Sequence, residues 1–433
     1  MIQTDRVTTQ MDTDVNDLPT IVVGAGPIGL TAAARLHARG MPFLVLEAGL
    51  TVGTSIREWG HVKLFSSWKH LVDEEVARQL AASAWRAPPP ESYPTGAELI
   101  AGLLEPLAAQ PQISAALRFG HRVVSVARSG RDKLRSPGRE RAPFLVLAQG
   151  PEGEVRLRAR AVIDATGTWT NPNPLGASGL PAAGESKHGA RITYGIPDVL
   201  GKAGSRYVGR RTLVVGSGHS AQNCVLDLAR IAASAPETEV VWAIRRKEPG
   251  DTFGGGEADD LTERAALGAR TRALVDQGAV EFVTGFQVER IEGHEGRLLV
   301  TGEDGRSLLT DEIVAATGFR PDLNITRELR LALDPITEAP VRLAPLIDPN
   351  VHSCGTVPPH GEAELAHPEV GYYAVGMKSY GRAPTFLLLT GYEQVRSVVA
   401  YLAGDFEAAQ QVDLVLPSTG VCCTDKAAGA TCC

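Results

Sequence analysis

The first stretch of the sequence that could carry chemistry is a glycine-rich turn between two apolar runs. The segment TIVVGAGPIGL contains the full spacing G-x-G-x-x-G, formed by Gly24, Gly26 and Gly29. In such a turn the first glycine makes the tight bend, the second lets a diphosphate approach the backbone, and the third lets helix and strand pack closely. The helix that begins at Pro27 and Ile28 would offer free N–H groups and its positive dipole end to the phosphates. The segment therefore predicts a dinucleotide-binding site.

An acidic residue at the expected distance strengthens this prediction. The apolar run 43–46 follows the helix and ends at Glu47, which lies 23 positions after Gly24. At that place an acid binds the ribose hydroxyls of a dinucleotide. A lone glycine motif is a weak signal, but strand, turn, helix, strand and acid in this order are a strong one.

A second turn of the same kind occurs in the segment TLVVGSGHSA, with the spacing G-x-G-x-x-A. Its candidate cofactor-binding residues are Gly216, Gly218, His219 and Ser220. The strand after this helix ends in Arg245 and Arg246 instead of an acid. Guanidinium groups bind a 2′-phosphate, which a carboxylate would repel. The second site is therefore predicted to bind NADPH; the alternative is that these cations form a solvated strand end.

A repeated sequence pattern indicates that the same type of nucleotide-binding unit occurs twice in the chain. In each half an apolar strand ends in Ala-Thr-Gly, at residues 165–167 and 316–318, and short alternating runs typical of antiparallel strands precede it. The fold class predicted is α/β, with two Rossmann-like dinucleotide-binding domains that carry antiparallel β insertions in a three-layer β-β-α arrangement. Further candidate cofactor-binding residues in these segments are Val124, Thr166, Gly167, Thr317 and Gly318.

Composition excludes several classes of protein. The formal net charge of -7 disfavours a general nucleic-acid binder, and no apolar run reaches the length of a membrane span. The body of the chain contains only Cys224 and Cys354, which is no disulfide framework. A reducing cytoplasm fits this cysteine usage best.

The other four cysteines lie within the last twelve residues of the sequence, at Cys422, Cys423, Cys432 and Cys433. Adjacent cysteines bridge each other poorly because their geometry strains a disulfide. Thiolates select soft ions, so the segment is predicted to be a mobile tail that binds a soft metal or metalloid such as trivalent arsenic. The alternatives are a redox-active dithiol and a solvated tail whose cysteines are incidental.

Together these motifs resemble the two-dinucleotide-binding-domain flavoproteins, a superfamily that includes thioredoxin reductase, mercuric reductase and the flavin-containing monooxygenases. The resemblance extends over about residues 20–405. It implies that the first turn holds FAD and the second NADPH. It also implies that the segment GYYAVGMKSYGRAPTFLLLTGYEQ returns to the flavin, with Gly376 and Met377 beside the ring. Reductases of the superfamily usually have an acid where this chain has Met377.

The position of the cysteines favours one branch of this superfamily. The reductases carry a cysteine pair beside the flavin or in the NADPH domain, whereas this chain has only Cys224 after its second turn. The chain therefore resembles the flavin-containing monooxygenases, although only His188 and Gly189 match their F-x-G-x-x-x-H motif. The segments GHVKLFSSW, CGTVPPHGEAEL and GMKSYGRAPTFLL also resemble flavin monooxygenase-like proteins of bacterial arsenic-resistance operons.

The resemblance implies roles for individual residues. The stretch 61–68 would pass the flavin, and an amphipathic core segment is the alternative interpretation. Candidate cofactor contacts in and just before this stretch are Trp59, Leu64 and Phe65. The candidate catalytic residues are Ser66 and Trp68 in this stretch, and Tyr380 and Arg382 in the returning segment.

The predicted organisation follows from these assignments. It comprises a flexible arm (1–20), a first FAD-domain segment (21–210), the NADPH domain (211–325), a returning FAD-domain segment (326–405) and the cysteine-rich tail (406–433). The predicted function is NADPH-dependent oxygenation of a soft nucleophile, with arsenite or an organoarsenical as one candidate substrate and oxygen as co-substrate. The alternatives are a flavin reductase that uses the tail as a dithiol relay, and a non-catalytic redox or metalloid-binding flavoprotein. A homodimer is compatible with the resemblance.

Overall fold

The computed structural model describes residues 14–254, 262–350, 357–384, 386–412 and 414. Its strands form two parallel sheets and two antiparallel sheets. The strands are β1 (Thr20–Val23), β2 (Phe43–Leu46), β3 (Leu117–Arg118), β4 (Arg122–Arg128), β5 (Phe144–Gly150), β6 (Gly153–Ala159), β7 (Ala161–Asp164), β8 (Ile192–Tyr194), β9 (Arg211–Val215), β10 (Glu239–Ala243), β11 (Glu281–Val283), β12 (Val288–His294), β13 (Arg297–Gly302), β14 (Ser307–Thr310), β15 (Glu312–Ala315) and β16 (Tyr372–Ala374).

Helices cover the faces of the parallel sheets. The helices are α1 (Pro27–Ala38), α2 (Thr54–Glu58), α3 (Glu74–Ala81), α4 (Gly96–Leu99), α5 (Glu105–Ala108), α6 (Pro111–Ser114), α7 (His219–Ser234), α8 (Thr262–Asp276), α9 (Ala344–Ile347), α10 (Glu362–Leu365), α11 (Leu388–Leu402) and α12 (Phe406–Gln410). A π-helical segment, Ile100–Leu104, joins α4 to α5. Within the part of the chain that the structure describes, no helix combines the length and apolar character that crossing a membrane requires.

The first parallel sheet has the strand order β16-β7-β1-β2-β3. Its central strands β1 and β7 are buried at every position, as expected for parallel strands that are covered on both faces. The small side chains of α1, including Ala32, Ala33 and Ala34, are fully buried and let this helix lie close to its neighbours. Helix α1 opens directly after β1, so the glycine turn lies at the carboxyl end of the sheet.

The second parallel sheet repeats this design with the order β11-β10-β9-β15-β8. Strand β9 leads through the second glycine turn into α7, and its neighbours are β10 and β15. The edge strand β8, residues 192–194, comes from a part of the chain that precedes β9. The described fold is thus α/β, as the sequence predicts.

Each parallel sheet is accompanied by a three-stranded antiparallel sheet, β4-β5-β6 in one half and β12-β13-β14 in the other. The two insertions share a detail that the sequence does not show. The register shifts near the start of the first strand in both, between Val123 and Ser125 in β4 and between Val288 and Arg290 in β12. The structure therefore confirms the antiparallel insertions.

The late segment returns to the first sheet. Strand β16 pairs with β7 in parallel, and α11 packs against α1. Ile28 of α1 and Val395 of α11 belong to the same buried core. This return brings Gly376–Tyr380 and the first turn of α11 to the carboxyl edge of the first sheet, where the first glycine turn lies. Cys354 and the four tail cysteines lie outside the described residues.

Candidate active site

The first glycine turn is shaped so that only glycine fits at two of its positions. Gly24 has a φ of 99°, and a side chain there would place its Cβ 2.9 Å from the carbonyl oxygen of Ala165. At Gly29 a Cβ would lie 1.9 Å from the carbonyl oxygen of Gly24. These contacts join the turn to the Ala-Thr-Gly segment after β7 and fix the direction of α1.

Gly26 faces open space, unlike its two neighbours in the motif. A Cβ placed on it would meet no heavy atom within 4 Å. Gly26 is also the N-cap of α1 and provides no side-chain hydrogen bond to the first turn, so the helix N-terminus is left for a ligand. With Pro27 and Ile28 it lines a cleft of about 810 Å³. This open backbone cradle at a helix N-terminus fits the diphosphate of a dinucleotide.

The carboxylate of Glu47 is held beside this cradle. It is buried at the end of β2, where Oε2 accepts a hydrogen bond from the Ala25 N–H at 2.7 Å and Oε1 accepts one from the Gly49 N–H at 2.8 Å. A carboxylate oxygen has two acceptor positions, so both oxygens keep one for a ribose hydroxyl. The position of Glu47 is the one that the sequence pattern predicts.

The second glycine turn has the same construction. Gly216 has a φ of 136°, and a Cβ there would lie 2.2 Å from the carbonyl oxygen of Ala316. Gly218 faces open space and is the N-cap of α7 without a side-chain hydrogen bond. Each turn is therefore seated on the alanine of its own Ala-Thr-Gly segment. His219 and Ser220, in the first turn of α7, line the same cleft as the first glycine turn.

Arg245 and Arg246 follow β10 beside the second turn. The N–H of Gly216 donates to the carbonyl oxygen of Ala243 at 3.1 Å, which places the two arginines just past the strand that borders the turn. Arg245 is exposed, and neither guanidinium forms an ion pair within the described chain. Two cations without a carboxylate partner fit a 2′-phosphate at this strand end.

We expect the double variant Arg245→Ala/Arg246→Ala to lose preference for NADPH. Loss of charge-assisted phosphate contacts should raise the KM for NADPH by about 10-fold or more and leave the KM for NADH nearly unchanged. Steady-state kinetics with both coenzymes measure this, and NADH serves as the internal control. Equal losses for the two coenzymes would show that these arginines do not bind the 2′-phosphate.

The returning segment meets the first turn directly. Gly376 has a φ of 68°, and a Cβ there would lie 3.0 Å from Cγ1 of Ile28. Its N–H donates to Oε1 of the buried Gln394 at 2.7 Å, which ties the turn to α11. Met377 lines the cleft, as does Lys378. The segment thus places the thioether of Met377 where reductases of the resembling superfamily usually have an acid, and Lys378 directly after it.

Lys378 takes part in a buried polar network. Its Nζ donates to Oδ2 of Asp164 at 2.7 Å and to Oγ1 of Thr166 at 3.0 Å. Burial alone would raise the pKa of Asp164, but the Lys378 ammonium and the hydrogen bonds from Lys378 and Thr166 outweigh it and lower the pKa. Tyr372 also donates to Oδ2 of Asp164 at 2.9 Å, and burial beside this carboxylate raises the pKa of the phenol. The carboxylate is therefore ionised and fully hydrogen-bonded.

Aromatic rings line the part of the cleft between the two halves. Trp169 stacks on Phe319 with ring centroids 4.5 Å apart, and Trp59 lies 6.2 Å from Trp169. Trp169 and Phe319 follow the two Ala-Thr-Gly segments, so the strand ends of both sheets contribute to one aromatic group. The rings of Phe65 and His219 form a second contact between the halves, with their centroids 4.9 Å apart.

Several predicted residues lie together in this cleft. Besides those described above, its lining includes Leu64, Ser66, Thr166, Gly167 and Tyr380. Tyr380 is buried against His360 and Phe386, and burial raises the pKa of its phenol. Thr317 and Gly318 instead form hydrogen bonds with Asn173 of a neighbouring chain segment. Thr317 Oγ1 donates to the carbonyl oxygen of Asn173 at 2.6 Å, and the carbonyl oxygen of Gly318 accepts from the Asn173 N–H at 2.9 Å.

Among the predicted residues that do not line the cleft are Thr317, Gly318, Val124, Trp68 and Arg382. Val124 is 43% exposed because the register shift in β4 turns Val123 toward the cleft in its place. Trp68 is buried in the core of the first half, where its indole packs against Gly102. A Cβ on that glycine would lie only 2.9 Å from the indole ring. Arg382 is exposed, pairs with Glu338 at 2.9 Å, and lines a separate surface pocket.

Thiols are absent from this cleft within the residues that the structure describes. Cys224 is fully buried in α7, and burial raises the pKa of its thiol, so it is an apolar core residue. The same residues contain no group of His, Cys, Asp and Glu arranged to hold a metal ion.

Sequence reasoning missed Asp164, Lys378, Trp169 and Phe319. A usable signal existed for Asp164, since a charge at the end of the apolar run AVID requires a buried partner. The tryptophan and phenylalanine could have been found because an aromatic residue follows each Ala-Thr-Gly segment within two positions.

Two dinucleotide cradles that open toward one cleft define a flavin-dependent oxidoreductase that uses FAD and a nicotinamide dinucleotide. Comparison with known families agrees: residues 18–367 match the profile described as pyridine nucleotide-disulphide oxidoreductase. The chain belongs to this family.

Curated relatives include both monooxygenases and reductases. Indole-3-pyruvate monooxygenase YUCCA1 of Oryza sativa is 32% identical over 222 residues, 49% of this chain and 45% of that protein. Ferredoxin--NADP reductase 1 of Cupriavidus necator is 27% identical over 71% of this chain and 72% of the reductase. The match thus spans less than half of the length of the rice monooxygenase.

Solved structures show the same fold in both kinds of enzyme. The bacillithiol disulfide reductase Bdr of Bacillus cereus has a TM-score of 0.65 at 20% identity, over 89% of this chain and 99% of that one. A flavin-containing monooxygenase of Stenotrophomonas maltophilia has a TM-score of 0.56 at 21% identity, over 89% and 98%. At these identities the likeness shows the fold alone.

Proposed function

We propose that this protein is an NADPH-dependent FAD monooxygenase that acts on a small, soft nucleophile. The balanced reaction is substrate + O2 + NADPH + H+ → oxygenated substrate + H2O + NADP+. The observation that carries the proposal is the composition of the cleft, whose described lining includes a group of aromatic side chains between the halves and no thiol. A disulfide reductase of the usual kind needs a cysteine pair at this place.

The residues of the cleft have distinct tasks in this reaction. When bound, FAD would accept a hydride from NADPH and activate oxygen. The glycine turn at Gly26 and the carboxylate of Glu47 bind and orient the flavin dinucleotide, and the turn at Gly218 does the same for NADPH. Trp59, Trp169 and Phe319 exclude water, which suppresses release of hydrogen peroxide in place of oxygenation.

The relatives support this function in part. YUCCA1 and the Stenotrophomonas enzyme are monooxygenases, and the local sequence match to YUCCA1 has the higher identity of the two curated relatives described above. The ferredoxin reductases and bacillithiol disulfide reductase support the alternative, in which electrons leave the flavin one step earlier, for a protein or disulfide acceptor. The tail cysteines favour that alternative if they form a disulfide that reaches the cleft.

The substrate class follows from the chemistry of oxygenation. Thiols, thioethers, amines and trivalent arsenic offer the soft or nucleophilic lone pair that such an oxygen transfer needs. The arsenical is favoured by the four cysteines of the tail, since three thiolates can converge on one trivalent arsenic. The tail would then raise the local concentration of the arsenical at the cleft.

The test measures NADPH consumption, oxygen uptake and hydrogen peroxide together. We expect one of three probes, a small thiol, a thioether or arsenite, to accelerate NADPH consumption and to lower the share of oxygen recovered as peroxide. The reason is that a bound substrate takes the oxygen atom before peroxide is lost. NADPH consumption that is unaffected by all probes, with anaerobic electron transfer to a tail disulfide, would establish the reductase instead.

A chain truncated after Gly420 is the matched control for the arsenical. It should retain FAD and basal NADPH oxidation and lose stoichiometric arsenite binding. If the truncated and full-length chains bind arsenite equally, the tail is not the capture site, and Cys354 becomes the residue to test.

A further inference from the structure

Lys378 is a cation buried at the edge of the flavin cleft. Its side chain is 2% exposed, yet the residue contributes to the lining of the cleft. An ammonium group carries three N–H donors. Two of them are engaged, with Asp164 and with Thr166. Within the described chain, the third has no hydrogen-bond partner.

The carboxylate of Asp164 is saturated without that third donor. Its Oδ2 accepts from Lys378 and from Tyr372, and its Oδ1 accepts from the N–H and the hydroxyl of Thr166 at 3.2 and 2.7 Å. A carboxylate offers about four acceptor positions, and four donors occupy them. Asp164 therefore holds the Lys378 ammonium in place but leaves the third N–H of that ammonium available to donate.

The ammonium is held beside the first glycine turn. Asp164 and Thr166 flank Ala165, on whose carbonyl oxygen Gly24 is seated. On the other side Gly376, two positions before Lys378, packs on Ile28 in the first turn of α1. The cation is thus bracketed by the glycine turn and by the helix N-terminus, the two features that bind a diphosphate.

We infer that Lys378 is a diphosphate-binding residue of the FAD site, and that Asp164 and Tyr372 are positioning residues for its ammonium. An ammonium beside a diphosphate forms a charge-assisted hydrogen bond that a neutral side chain cannot replace. The competing explanation is that Lys378 only neutralises a structural carboxylate. The inference rests on FAD binding alone, so its outcome is independent of whether the enzyme oxygenates a substrate.

A double variant separates the two explanations. In Lys378→Met a charge is removed and Asp164 is left buried and unpaired, so weaker FAD binding could arise from local damage. In Asp164→Asn/Lys378→Met both charges are removed, and no unpaired charge remains. Protein that is stripped of flavin is titrated with FAD and, separately, with riboflavin, which has no phosphate; flavin fluorescence reports the Kd, and far-UV circular dichroism confirms that each variant is folded.

We expect both variants to raise the Kd for FAD about 10- to 100-fold, the range for loss of a hydrogen bond to a charged group, with the Kd for riboflavin changed less than about 3-fold. Lys69→Met is the matched control, because Lys69 pairs with Glu91 on the surface and does not line the cleft, and its Kd for FAD should stay within about 3-fold of that of the unmodified protein. Recovery of the original FAD affinity in the double variant would overturn the inference. It would also be overturned by an equal loss for riboflavin, or by an equal loss of FAD in Lys69→Met.

Discussion

Gly26→Ala should yield a folded protein that no longer retains FAD. The new methyl group meets no protein atom, and the backbone at Gly26 has a φ of -83°, which alanine adopts freely. The methyl group instead occupies the space through which a diphosphate must approach the N-terminus of α1. We expect at least a 10-fold rise in the Kd for FAD, about 1.4 kcal/mol or more, and largely colourless protein after purification. Flavin absorbance per chain and titration with FAD measure this.

Gly218→Ala is the matched control in the second cradle. Gly218 also faces open space and has a φ of -84° as the N-cap of α7, so the same methyl group is tolerated by the fold. This variant should remain yellow with an unchanged Kd for FAD, and its KM for NADPH should rise about 10-fold or more. If Gly26→Ala retains FAD while Gly218→Ala loses it, the assignment of the two cradles is reversed.

The sequence was sufficient to predict these cradles because their chemistry is local. Spacing of Gly24, Gly26 and Gly29 within six residues determines the turn, and the strand before it and the helix after it are continuous in the chain. Glu47 could be predicted for the same reason, since the distance along one βαβ unit sets its position. The antiparallel insertions were predicted from alternation, which is also a local pattern.

Features that depend on distant parts of the chain could not be predicted in this way. Lys378 and Asp164 are separated by 214 positions, and their ion pair exists because β16 returns to pair with β7. Val124 was predicted to line the cleft, but a register shift reverses which residues face inward, and such a shift has no clear sequence signal. Trp68 was assigned to the site because the resemblance implies that its stretch passes the flavin, whereas Trp169 is the tryptophan that stacks between the halves.

Stability of the first half depends on another long-range cluster, centred on Glu369. Its carboxylate is 3% exposed and accepts from Arg128 Nε at 2.7 Å, from Arg139 Nη2 at 2.7 Å and from the N–H of Arg330 at 2.9 Å. Arg128 also lies over the ring of Phe144 at 3.7 Å. The cluster joins the antiparallel sheet, the loop that follows β4 and the segment before β16. These three parts of the chain must meet for the returning segment to reach the cleft.

Glu369→Ala should lower the free energy of unfolding by about 3–5 kcal/mol, because two buried guanidinium groups lose their common partner. Chemical denaturation followed by circular dichroism measures this. Glu154→Ala is the control: Glu154 pairs with Arg156 at 2.8 Å on the surface, and its loss should change the free energy of unfolding by less than about 1 kcal/mol. Equal effects of the two substitutions would show that the buried cluster contributes no more than a surface pair.

The same cluster predicts the direction of a pH dependence. Burial by itself would raise the pKa of Glu369, but the hydrogen bonds from Arg139 and Arg128 and from the Arg330 backbone outweigh it and lower the pKa. A carboxylate whose pKa is lowered by folding stabilises the folded state at a pH above its unfolded pKa, and this stabilisation is lost as the pH falls through the folded pKa. The difference in the free energy of unfolding between the unmodified protein and Glu369→Ala should therefore be constant near neutral pH and shrink below about pH 4, where the glutamate becomes protonated in the unfolded chain. A difference that instead grows on acidification would show that Glu369 is not held as a paired carboxylate.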